Sequence, residues 1–254
     1  MISKKDIKFI KSLSQSKHRN KHNTFVIEGF RICKEFIDSG HRVCSFIVTE
    51  HFLNKNPNFF KQSNTPSIIR YKVISENDFK QIQNTKNSQG IIGIVPFLNN
   101  SIKTNNIDGN ILVLDSISDP GNMGTLMRSA VWFGVENIFF TNNCVDQYNP
   151  KVIRAAMGAH FYLTNSLDVT VTDLLGIIDN NQHILLAATM NGKSYKTINN
   201  QKKWALILGN EAHGVDKKLL NKAKDNITIS QLGSIESLNV AVAGSILLDR
   251  LSSK

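Results

Sequence analysis

Three polar loops hold the residues whose types and spacing could do chemistry. The first runs from Asp115 to Arg128, DSISDPGNMGTLMR. Pro120 and Gly121 make a sharp turn there, and Gly124 lets backbone come close to a neighbour. Asn122 offers an orienting amide, and Arg128 a planar fork of donors suited to a phosphate or ribose oxygen. The functional reading is a site that handles RNA; the plain one is a capped turn into a helix with a surface arginine. The glycine spacing fits neither GxxxxGK(S/T) nor GxGxxG, so a phosphate loop or a dinucleotide fingerprint is a weak reading.

The second loop lies within LILGNEAHGV, where an apolar run is followed at once by Gly209, Asn210 and Glu211. An acid at a strand's end, between Gly209 and Gly214, could pair with a cation such as Arg128 or with a ligand's amine. It could also open the next helix, where the dipole favours an acid. His213 reads as a loop residue, since no second His or Cys stands at metal-ligand spacing. The third loop lies within ITISQLGSIESLNVAVAGS, which ends a strand, crosses a polar stretch and enters a helix. Ser237 reads as that helix's N-cap. Ala241, Ala243, Gly244 and Ser245 let the helix pack closely, against its own sheet or against a second subunit.

Such loops need elements to hold them. Residues 111–254 alternate strand and helix, with strands at 111–115, 138–141, 184–188, 205–208 and 227–230 and helices at 122–133, 151–160, 171–180, 217–223 and 237–251. Short apolar strands without alternation are those of a buried parallel sheet, and the pattern predicts an α/β domain. Parallel sheets place ligands at the carboxyl ends of their strands, where all three loops lie. Residues 1–97 predict a smaller α/β domain. It opens on a Lys-rich amphipathic leader to about Asn23, with Ile7, Ile10 and Leu13 at helical spacing. Strands follow at 25–27, 43–49, 68–73 and 91–95, and helices at 29–39 and 75–82. Ser75 caps the second of these helices, with Asp78 at the capping-box position. Residues 98–110, rich in Asn, Ser, Thr and Lys, read as a linker.

The formal net charge is +10, and it is unevenly placed. Residues 1–97 hold 16 Lys and Arg against 7 Asp and Glu, whereas residues 98–254 hold 14 against 13. The first part therefore reads as a surface for a polyanion, with Lys4, Lys5, Lys8, Lys11, Lys17, Arg19 and Lys21 as its phosphate contacts. Cys33, Cys44 and Cys144 form no CxxC pair, which argues against a disulfide framework and a cysteine-rich zinc site. A reducing, cytoplasmic setting is the expectation. No window approaches the roughly 18 apolar residues of a membrane span, so no membrane partner is expected.

Together and in this order, the loops resemble the SpoU or TrmH-like branch of the SPOUT RNA methyltransferases. DSISDPGNMGTLMRSAVWFGV resembles that family's first motif, LILGNEAHGV its second and ITISQLGSIESLNVAVAGSILL its third. SLSQSKHRNKHNTFVIEG resembles the opening of the family's substrate-binding domain, so the likeness spans nearly the whole chain. The resemblance implies a small α/β RNA-binding domain followed by a parallel-sheet domain tied in a deep trefoil knot, which no pattern in the sequence shows. It implies a homodimer with its active site at the subunit interface. It implies S-adenosylmethionine as cofactor, held near Thr189, Met190, Gly209, Asn210, Ile229 and Leu238, with catalytic positions at Asn122, Arg128, Glu211, Ser237 and Asn239. Ser230-Gln231 stands where the family commonly has Pro, a departure that touches only the cofactor loop.

The implied activity is methyl transfer to a ribose 2′-hydroxyl of structured RNA. Ribosomal RNA ranks before transfer RNA, because this type of N-terminal domain occurs more often in ribosomal RNA modifiers. A sulfonium methyl is already electrophilic, so no metal is expected; the ribose oxygen must be aligned and its proton removed. An arginine holds its proton too tightly to be a good proton acceptor. Arg128 is therefore expected to bind the adjacent phosphate and steady the developing alkoxide. Asn122 and Asn239 would orient ribose and Arg128, Glu211 would hold Arg128 within the chain or across the dimer, and Ser237 would shape the cofactor loop. The alternatives are a non-catalytic RNA-binding or ribosome-assembly factor on the same fold, and an S-adenosylmethionine enzyme with a conventional unknotted domain.

Overall fold

A computed structural model describes residues 2–41, 45–61, 70–85, 88–98, 106–198 and 203–253. The chain divides into two compact units, one of residues 1–99 with 146–161 and one of residues 100–145 with 162–254. Most of the expected 98–110 linker, Cys44, and the starts of the strands expected at 43 and 68 lie outside the described residues.

The first unit is a four-stranded mixed sheet in the order β1-β4-β2-β3: β1 (Thr24–Glu28), β2 (Ser45–Thr49), β3 (Arg70–Ile74) and β4 (Ile91–Pro96). Strand alternation feeds two apolar layers. Phe46 and Val48 enter a cluster with Phe25, Phe36 and Phe52, while Ile47 and Ile92 enter another with Ile10, Phe79 and Ile82. The leader is two helices, α1 (Lys4–Ser12) and α2 (Ser16–His22), where a single amphipathic stretch was expected. Ser3 and Asp6 form a capping box at the start of α1, and the Ser3 hydrogen bonds hold the Asp6 carboxyl below its ordinary range. Helices α3 (Phe30–Asp38), α4 (Glu50–Lys55), α5 (Glu76–Ile82) and α7 (Pro150–Ala156) complete the unit. The helix expected at 151–160 stops early because Met157 and Gly158 both take positive φ, 51° and 96°.

In the second unit six strands run parallel in the order β10-β8-β9-β5-β6-β7. They are β5 (Ile111–Leu114), β6 (Asn137–Phe140), β7 (Asn165–Asp168), β8 (Ile184–Ser194), β9 (Trp204–Leu208) and β10 (Asp225–Thr228). The helices are α6 (Pro120–Trp132), α8 (Val171–Asn180), α9 (Lys217–Lys222) and α10 (Val240–Ser252). From β5 the chain moves outward to β6 and β7 and then returns to the other side, leaving a topological switch point between β5 and β9. Ligands of open α/β sheets bind outside such a point. Among the described residues no helix is long and apolar enough to cross a membrane.

Candidate active site

Strands β5 and β9 lie side by side in register, Leu114 beside Leu208, so the loops that follow them leave the sheet together. Asp115, at the end of β5, is 4% exposed. One carboxylate oxygen accepts from the Thr141 hydroxyl beyond β6, and the other accepts from the Asp216 N–H at 2.7 Å. A buried carboxylate must be satisfied in this way, and the arrangement pins three loops at once. Cys144 adds to the pin: its thiol donates to the Leu114 carbonyl and accepts from the Ile117 N–H, and burial pushes its pKa up to about 11. Sequence reasoning gave Asp115 no role, although an acid closing an apolar strand was the available signal.

The β9 loop is a tight turn closed by paired backbone hydrogen bonds between Asn210 and Gly214. A Cβ at Gly209 would overlap the Gly214 and Val215 backbone, so only glycine fits there. The Asn210 side chain accepts from the Ala212 and His213 N–H groups and donates to the Ser116 carbonyl. Its side chain thus builds the loop and ties it to the β5 loop, instead of pointing a free amide at a cofactor.

Glu211 is the meeting point of the three motifs. Its Oε1 accepts from Asn122 Nδ2 at 3.0 Å, Asn239 Nδ2 at 3.0 Å and the Val240 N–H at 3.3 Å. Asn239 Nδ2 also donates to Asn122 Oδ1 at 2.9 Å. Asn239 Oδ1 faces the other way and accepts from the Ala241 and Val242 N–H groups, so Asn239 is the N-cap of α10. This corrects the expectation for Ser237, which lies exposed two residues before the cap. Asn122 in turn follows Asp119, which caps α6.

Arg128 sits on α6 with its side chain exposed, and among the described residues it has neither an ion pair nor a hydrogen bond. Its expected partner within the chain, Glu211, is engaged by the two asparagines. The expected ribose-orienting amides of Asn122 and Asn239 are likewise engaged, with Glu211 and with each other.

The expected cofactor residues line the loops after β9 and β10 and the long β8. β8 pairs with β9 through Ala187, then shifts register against β10, so Asn226 faces Ala187 while Ile227 faces Lys193. Thr189 and Met190 lie in that irregular stretch. The Thr228 hydroxyl donates to the Met190 carbonyl at 3.0 Å, joining it to the segment that holds Ile229. Residues 230–239 are all exposed. Met190, Leu232, Ile235 and Leu238 present large apolar side chains to water, the kind of surface that an adenosine and a methionine chain could cover. The groups fit such a ligand: apolar side chains beside a glycine-tight backbone turn.

In the leader, Lys4, Lys5, Lys8, Lys11, Lys17 and Lys21 are exposed. Arg19 is not. It is 2% exposed, donates to the Leu13 and Ser14 carbonyls and pairs with Asp146 at 2.5 Å. It fastens α2 from within and, buried and paired, is not the phosphate contact expected of it. Among the described residues no group of three metal-ligating side chains converges.

The family model described as the SpoU rRNA Methylase family matches residues 109–249, and that of the MRM3-like substrate binding domain matches residues 4–93. The 23S rRNA (guanosine(2553)-2′-O)-methyltransferase RlmP of Bacillus subtilis is 31% identical over 96% of this chain and 95% of its own length. A solved RNA 2′-O ribose methyltransferase is 27% identical, covers 98% of this chain and 95% of its own, and superposes with a TM-score of 0.79. The AdoMet-bound rRNA methyltransferase from Sinorhizobium meliloti is 24% identical over 99% of this chain and 95% of its own; its TM-score of 0.83 shows the common fold.

Proposed function

Since the chain belongs to the SpoU rRNA methylase family, we propose that it transfers a methyl group from S-adenosylmethionine to a ribose 2′-hydroxyl of structured RNA, ribosomal RNA before transfer RNA. The observation that carries the reading is the convergence of Asn122, Asn239 and Glu211 from three strand-end loops at the switch point of a parallel sheet.

When bound, the sulfonium supplies an electrophilic methyl carbon: the ribose oxygen forms the new bond, and the sulfur keeps the electron pair of the bond that breaks. The chain's own residues align the oxygen and let its proton go. Arg128, with its planar fork of donors, binds the phosphate next to the target ribose and steadies the developing alkoxide. The proton departs to phosphate or water. Asn122 and Asn239 act through Glu211, holding its carboxylate in place. Ser237 and Leu238 shape the exposed 230–239 segment around the donor, with Thr189, Met190, Gly209, Asn210 and Ile229 supplying backbone or framework.

The working unit in this reading is a homodimer. Support comes from Arg128 and Glu211, both exposed and unpaired with each other in one chain, and from apolar Trp132 and Val242, exposed by 82% and 50% on α6 and α10. Glu211 then meets Arg128 of the partner subunit. The path from β10 at the sheet's edge to α10, which packs on α6 and β9, is the one we read as threaded into a trefoil knot.

The test is chemical. Ribosomal RNA incubated with the enzyme and S-adenosylmethionine should gain one linkage resistant to alkaline cleavage, because only 2′-O-methylation removes the attacking hydroxyl. Uniform cleavage after incubation refutes the activity. Mapping the protected bond names the nucleotide.

A further inference from the structure

Resting on that reading, we infer that a cleft in the first unit receives one nucleotide of the substrate RNA, its phosphate held between Arg31 and Arg154. The cleft encloses about 230 Å³. That is a small cleft, with room for one base inside and its phosphate at the mouth rather than for a large cofactor.

Three pieces distant in sequence build the cleft: the turn from β1 into α3, the segment between α5 and β4, and α7. Its apolar floor comes from Val26, Ile32, Ile153 and Met157, of which the half-buried Val26 and Met157 can meet the face of a base. The rim is fixed by polar side chains tied to backbone. Glu28 accepts from the Asn84 and Thr85 N–H groups at 2.8 and 3.2 Å and from the Thr85 hydroxyl at 2.6 Å. Gln89 Oε1 accepts from the Phe30 N–H at 2.6 Å across Gly29, whose φ of +105° leaves no room for a side chain without strain.

The carboxylate is thus engaged while the two cations are not. Arg31 and Arg154 are exposed, and neither side chain has an ion pair or a hydrogen bond among the described residues. A cleft with its acid satisfied and two guanidinium forks uncommitted is electropositive. Such forks match a phosphate in a bidentate way and stack on a base. Free phosphate would meet the forks but not the apolar lining; a nucleotide within RNA meets both.

Filter binding of the full chain to deproteinised bacterial 23S ribosomal RNA tests this, with methyl transfer to the same RNA measured in parallel. Arg31→Ala/Arg154→Ala should weaken binding by about tenfold and lower the slope of log K against log salt by about one to two. Arg31→Lys/Arg154→Lys should keep the slope yet weaken binding several-fold, since a point charge replaces a fork. Lys55→Ala/Lys61→Ala removes the same charge from exposed positions and serves as reference. Equal losses in the arginine and lysine pairs, or unchanged binding in the arginine pair, overturn the proposal. If the wild-type chain binds this RNA without methylating it, the transferase reading fails, and the binding comparison still decides the cleft.

Discussion

Glu211 Oε1 collects amides from positions 89 and 28 residues away in the chain, and the same asparagine that holds it also caps α10. Capping and catalysis are therefore linked through Asn239, and two substitutions separate them. Asn239→Ala should lose both, with about 1 kcal/mol of stability from the cap and at least roughly tenfold of methyl transfer. Asn239→Asp keeps a capping oxygen but sets a second carboxylate against Glu211, so thermal unfolding should stay near wild type while activity falls as far as in the alanine variant. Arg128→Ala should abolish methylation and leave S-adenosylmethionine affinity by calorimetry nearly unchanged; equal loss of both would refute the separation of phosphate and cofactor duties. The identity of Asn122, Glu211 and Asn239 was legible because each sits in an ordered motif at a strand's end. Their mutual hydrogen bonds were not, since nothing in residue spacing says which amide meets which oxygen across such distances. Arg19 shows the converse: among exposed lysines it looked like one more phosphate contact, and only tertiary burial reveals its ion pair with Asp146.

At the scale of elements, α10 lies against α6 and β9 through Gly244, where a Cβ would overlap the ends of Leu126 and Leu208. Those ends can shift, so Gly244→Ala should cost about 1–3 kcal/mol by overpacking, read as a lowered Tm with methyl transfer retained. Gly209 meets backbone instead, and its alanine variant should lose cofactor binding as the turn is rebuilt. Another element-level effect belongs to the turn after α7. His160 is 3% exposed, and burial pushes its pKa down to about 4 against the pull of its Gln147 carbonyl partner. Below pH 6.5 the unfolded chain takes a proton that the folded one refuses. Stability is therefore full above that pH and drains away as pH falls toward 4, by a few kcal/mol in all. His160→Gln should flatten the Tm profile between pH 7 and 4. Strand β10, DNIT, has a single large apolar residue and begins two residues before the strand expected at 227–230. Strands β5, β6, β8 and β9 could be read from their apolar runs, although β8 runs six residues past its expected end. β7 could not: its sequence NSLD has one large apolar residue, and it is held at the sheet's edge by pairing to β6 and by Asn165 donating to Asn137. The short helix α4, begun by Thr49 as cap, gave too few residues for a period to show.

For the whole molecule, charge and chemistry fall in different stretches of sequence. The excess of Lys and Arg lies in residues 1–97, and the Asn122–Glu211–Asn239 cluster lies in the second unit. RNA affinity should fall steeply with salt, and replacing Lys4, Lys8 and Lys11 together by Ala should reduce the slope by about two to three; a salt-insensitive affinity would remove the leader from the binding surface. The alternation of strands and helices in both stretches was legible from the sequence patterns. The excursion of residues 146–161 back to the first unit was not, because it follows from packing of Tyr148, Ile153 and Phe161 into that unit's core rather than from any local signal.

That excursion sets a clock on the protein's birth. Tyr148 stacks on Phe25 and Phe97 at 4.7 and 4.2 Å, yet the ribosome delivers those two phenylalanines first. About sixty more residues must be polymerised after position 99 before the lid over them exists, several seconds at roughly 5–20 residues per second. Through that interval the nascent chain carries an uncovered aromatic face, and the amino-terminal half must wait, unfinished, for its own carboxyl-ward neighbour to be made.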